Sequence, residues 1–88
     1  MSDRVHAIET RLRQTLRPEA MEVHDESAAH AGHAGAASGG GHFAVTIVAA
    51  AFSGQDAVAR HRMIYEALAD MRQEIHALSI RALAPDEL

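Results

Sequence analysis

The chain has 88 residues and balances 8 Lys and Arg against 12 Asp and Glu, a net charge of −4 with histidine neutral. That length suits one domain with one small core, too little to enclose a large active site beneath its own lid. Without cysteine it can build neither a disulfide framework nor a thiolate metal site of its own, and its acidic balance argues against strong non-specific binding to nucleic acid.

Ser2 and Asp3 offer an N-cap, and Val5, Ile8, Leu12 and Leu16 recur at helical spacing, which predicts a helix over residues 3–16. Pro18 stops it, because proline lacks the N–H and disfavours helical geometry at Arg17. Ala20 to Asp25 alternates, with Met21 and Val23 on one face and Glu22 and His24 on the other, the pattern of a half-buried strand. From about residue 27 to 41 there is no apolar periodicity and five of the six glycines collect, predicting a long, flexible Gly/Ala-rich loop.

His42 to Ala49 reads as the clearest strand, apolar on both faces apart from Thr46 and therefore central in its sheet. Phe52-Ser53-Gly54 is a turn. Ala57 to Arg72 is predicted as one helix with Val58, Ile64, Tyr65, Leu68 and Met71 facing the core. Ile75 to Leu83 is a third strand, with His76 on the same side as Leu78 and Ile80, and Ala84 to Leu88 starts a last helical turn. The order α-β-β-α-β predicts a single α/β domain over residues 1–88. The first two strands form an antiparallel hairpin, the last two a parallel crossover unit, and the helices cover one face of a small mixed three-stranded sheet. With 48% hydrophobic but 3% aromatic residues, its core is aliphatic. No run of about 18 apolar residues spans a membrane, and the N-terminus lacks the apolar core of a signal peptide; the expected setting is the cytoplasm.

Histidine is the outlier, with seven in so short a chain, and it is both the side chain that titrates near neutrality and the commonest protein metal ligand. His6 and His61 fall on helices and His24 on a strand. His30 and His33 fall in the loop, and His42 and His76 at the starts of strands. A ligand on a rigid strand, His76, and one on a flexible loop, His30, can close on one ion from two sides. Against this, loop histidines are more often simply solvated, His42 can pack at a strand end, and His61 reads as a half-buried helix residue. Arg60 and Arg62 offer a small basic spot, offset by Asp56, Glu66, Asp70 and Glu74. Neither a nucleophile elbow, a dinucleotide fingerprint nor a P-loop occurs, so the chain is not expected to be an enzyme.

Three stretches together resemble the BolA family. They are Glu22-Val23-His24-Asp25-Glu26-Ser27 with His30 following; His42-Phe43 with the later Phe52-x-Gly54; and Arg60-His61-Arg62-Met63-Ile64-Tyr65 running on to Ile75-His76-Ala77-Leu78. The resemblance covers nearly the whole chain and implies a fold similar to a type II KH domain. It also implies partnership with a monothiol glutaredoxin, with which such proteins share a bridged 2Fe–2S cluster. The family's histidine ligand falls on His76, and its loop ligand, a Cys or His, on His30, making this a histidine-type member; His33 or His42 can substitute. The sulfur ligands would then come from a glutaredoxin cysteine and glutathione, supplied in trans. Imidazole in place of thiolate raises a cluster's reduction potential, and the need for neutral imidazole means that acid weakens the complex. The alternative function is that of a KH-like nucleic-acid-binding transcriptional regulator, with Arg60, Arg62 and Arg81 as contact residues. A divalent-metal site at His30, His33 and His76 is a third possibility, and homodimerisation is open.

Overall fold

The computed structural model describes residues 3–27 and 41–88. Helix α1 (Asp3–Leu16) is followed by strand β1 (Ala20–Asp25), strand β2 (Gly41–Val48), a 3-10 turn at Ala50–Phe52, helix α2 (Ala57–Ala67), a 3-10 segment at Ala69–Glu74, strand β3 (Ile75–Leu83) and a last 3-10 turn at Pro85–Glu87. The three strands form one sheet in the order β1-β2-β3. β1 and β2 are antiparallel, from Ala20 opposite Val48 to Asp25 opposite Phe43; β2 and β3 are parallel. The α/β class, the mixed sheet and the central place of β2 are those the sequence pattern predicts.

Alternation along β2 decides which face is covered. Phe43, Val45 and Ile47 join Ile8, Leu12 and Leu16 of α1, Ile64 of α2, and Leu68 and Met71 in one buried cluster. From the edge strands, Met21, Val23, Leu78, Ile80 and Ala82 pack against it. Both helices therefore lie on one sheet face, and Glu22, His24, Thr46, Ser79 and Arg81, which are exposed, belong to the other. Phe52, although in the turn after β2, is fully buried in the same core; both phenylalanines of the chain thus lie in the interior, which is not the purely aliphatic core that the low aromatic content suggests.

Local chemistry marks the ends of the elements. α1 closes on Arg17, whose φ of 48° places it in the left-handed region, and its N–H donates to the Arg13 carbonyl at 3.1 Å; this is a left-handed helix cap made without glycine. α2 opens on Asp56, whose carboxylate accepts from the Ala59 N–H at 2.8 Å. The Arg11 guanidinium bonds both oxygens of Asp70, at 2.8 and 2.9 Å, and so ties α1 to the 3-10 segment.

Two expectations are corrected here. The second helix does not run to Arg72: α-helical geometry ends at Ala67, and residues 69–74 are 3-10. Leu68 and Met71 are buried as expected, because a spacing of three serves a 3-10 turn as well as an α-helix. Val58 and Tyr65 do not face the core; they are 67% and 51% exposed. At about 100° per residue they lie about 120° and about 100° around the helix from Ile64, off the buried stripe.

Candidate metal centre at the end of the sheet

The parallel pairing of β2 and β3 sets their first residues side by side. Their register is not uniform: Gly41 is opposite Ile75, yet His42 is opposite Ala77. One residue on β2 thus faces two on β3, and His76 is the extra one, in a β-bulge. This corrects the expected phase of β3. Ile75 packs against the core on one side of the bulge, and Leu78 and Ile80 on the other. His76 is exposed rather than aligned with them. Its ring lies 5.1 Å, centroid to centroid, from that of His42, at an interplanar angle of 45°. The His42 ring is partly buried, with its Nε2 shielded from solvent, so His76 is the member of the pair that another molecule meets first.

The end of β1 meets the same place. The Glu26 N–H donates to the His42 carbonyl at 2.8 Å, and the His42 N–H donates to the Ser27 hydroxyl at 3.1 Å. The Ser27 N–H in turn donates to Asp25 Oδ1 at 2.9 Å, an Asx turn that closes the strand. Gly41 is buried because space is lacking: a Cβ there would come within 2.6 Å of the Phe43 ring and 3.0 Å of Ser27 Oγ. The sequence marks His42 and His76 as candidate ligands and Asp25 and Ser27 only as part of a family stretch, without the role in holding His42 that the structure gives them. The Asp-x-Ser spacing after a strand was the available signal.

His30 and His33 lie outside the described residues. His6, His24 and His61 are exposed, on α1, the open sheet face and α2. His61 is therefore not the half-buried residue that its spacing suggests. His24 Nε2 lies 3.3 Å from Glu22 Oε1 on the surface. Among the described residues no group of three or more His, Cys, Asp or Glu is placed to hold a metal ion. What they offer is a pair of imidazoles, able to contribute to a site that other ligands complete.

The three arginines do not form one basic surface. Arg60 is engaged: its guanidinium grips Glu87 at 2.6 and 2.8 Å and donates to the carbonyls of Ala82 and Gln55 at 3.0 and 2.8 Å. The Glu87 carboxylate also accepts from the Ala84 N–H at 2.8 Å. The Arg60 bonds, followed by the Ala84 N–H, pull the Glu87 carboxyl down to about 2 and raise the Arg60 guanidinium above its usual range. Arg62 is exposed on α2, and Arg81 is exposed on the sheet face away from the helices. No helix among the described residues is long and apolar enough to cross a membrane.

A model of the BolA-like protein family matches residues 12–87. The chain belongs to the BolA-like family. BolA-like protein 1 of Mus musculus is 40% identical over 80 residues, covering 90% of this chain and 56% of the mouse protein, so the chain spans about half that relative's length. The DNA-binding transcriptional regulator BolA of Vibrio cholerae is 40% identical over 81 residues, covering 91% of this chain and 74% of its own. Among solved structures, the BolA domain of SufE1 from Arabidopsis thaliana superposes with a TM-score of 0.88 at 41% identity, covering 100% of this chain and 99% of that one. The bulged strand and the His42–His76 pair thus sit within a BolA-like fold.

Proposed function

We propose that this BolA-like protein is a non-enzymatic adaptor that holds a bridged 2Fe–2S cluster jointly with a monothiol glutaredoxin, in cluster trafficking or in iron and redox sensing. One observation carries the reading: an exposed imidazole, His76, is set out from the sheet by a bulge and lies against a second imidazole. The donor set fits a shared cluster and not a resident one. A 2Fe–2S cluster takes four protein ligands, usually thiolates, and this chain has no cysteine. His76 would supply one ligand. His30 would supply the second, with His33 or His42 as substitutes, and the glutaredoxin cysteine and glutathione would supply sulfur in trans. Such a cluster would contribute electron storage or be handed on intact; the chain's own part is to present neutral imidazole at a fixed place. The absence of thiols fits a reducing compartment such as the cytoplasm.

The test is a titration into cluster-loaded monothiol glutaredoxin followed by visible circular dichroism. The parent protein alone is colourless and changes the glutaredoxin spectrum on mixing. His76→Ala abolishes that change. A His76→Ala, His30→Ala double variant that reproduces the parental spectrum overturns the ligand assignment.

The second reading, a nucleic-acid-binding regulator, is favoured by the name of the Vibrio cholerae relative. The acidic balance and the engagement of Arg60 by Glu87 weigh against it. A gel shift at ~0.15 M salt, where exposed charges are screened beyond ~8 Å, separates the two. Retained binding that Arg62→Ala and Arg81→Ala together abolish supports the regulator.

A further inference from the structure

We propose that Ser27 is a positioning residue for His76, acting through His42; the inference rests on the reading of His76 as a cluster ligand. Strand β1 pairs as far as Asp25 opposite Phe43, so the next rung brings Glu26 to His42. There the backbone of His42 is held from both sides: its carbonyl accepts from Glu26, and its N–H donates to the Ser27 hydroxyl. Ser27 is itself pinned by the Asp25 carboxylate. A Cβ on Gly41 would collide with the Phe43 ring at 2.6 Å and press on Ser27 Oγ at 3.0 Å, so the corner is closely packed. His42 is opposite the bulge that sets His76 out, and the two rings are in contact. A chain of three contacts thus runs from the Asp25 carboxylate through Ser27 and His42 to the His76 ring. Deleting the hydroxyl removes one of the two hydrogen bonds that hold the His42 backbone to the end of β1, and loosens the surface on which the His76 ring rests. Threonine keeps the hydroxyl; alanine and glycine do not.

Two readouts test this in the full chain. The first needs neither metal nor partner. In the free protein, NMR contacts between the His42 and His76 rings are present in the parent and in Ser27→Thr, and are lost in Ser27→Ala and Ser27→Gly while far-UV circular dichroism stays parental. The second is the titration into cluster-loaded monothiol glutaredoxin. Ser27→Ala shifts its midpoint to roughly 3- to 10-fold higher protein, the range for losing one hydrogen bond, and Ser27→Thr restores it. A folded Ser27→Ala with parental ring contacts and a parental midpoint overturns the proposal. If both deletions prevent folding, the parent decides: slow hydrogen exchange at the His42 amide supports the link and unprotected exchange overturns it. Should His76→Ala leave the titration unchanged, the cluster reading falls, whereas the ring contacts still judge Ser27.

Discussion

Arg60 shows how one side chain can carry a family signature and serve the fold. Its guanidinium joins α2 to the last residues of β3 and to the terminal 3-10 turn, in the bidentate geometry that lysine cannot reproduce. Glu87 is the titrating partner. Its folded value of about 2 lies below the ordinary 4.5; folding therefore favours the carboxylate, and this contribution is complete above the ordinary value and lost as pH falls from there through about 2. Asp70, lowered chiefly by its bonds to Arg11, acts with the same sign. Glu87→Gln is expected to lower the urea midpoint at pH 7, and the gap from the parent to close as pH falls toward 2. A gap that is constant over this range would show that the carboxylate charge plays no part.

At the scale of elements, the helix caps and the bulge do different work. Asp56 satisfies a donor that the first turn of α2 leaves without an intrahelical partner. Asp56→Ala is expected to cost about 1 kcal/mol and Asp56→Asn much less, as read from chemical denaturation. The bulge stabilises nothing by itself; it interrupts the ladder and turns one side chain outward. It lies at the start of β3, where the chain enters from the 3-10 segment, and it directs His76 to solvent while Ile75 and Leu78 stay on the core.

At the scale of the whole molecule, one core, aliphatic apart from Phe43 and Phe52, joins both helices to one face of three strands. Ile47, on the central strand, is fully buried in it. Ile47→Ala is expected to cost about 2–5 kcal/mol by lost burial and the cavity left behind, a large part of the ~5–15 kcal/mol that holds a domain folded. Equilibrium denaturation measures it, and a loss below 1 kcal/mol would mean that the sheet closes over the gap.

The sequence alone determined the order of elements, the bounds of α1, β1 and β3 and the central position of β2, because apolar spacing in short segments reports directly which face is buried. It also carried His42 and His76 as candidates, and the family. It did not determine where α2 gives way to a 3-10 turn, since Leu68 and Met71 satisfy either helix. Nor did it determine the orientation of His76, because a bulge changes the phase of a strand without leaving a mark in the strand's own residues. The meeting of His42 with His76, the hold of Ser27 on His42 and the engagement of Arg60 by Glu87 were decided by tertiary structure. Each joins residues that are 15 to 34 positions apart in the chain, and only the pairing of strands and the docking of helices brings such residues into contact.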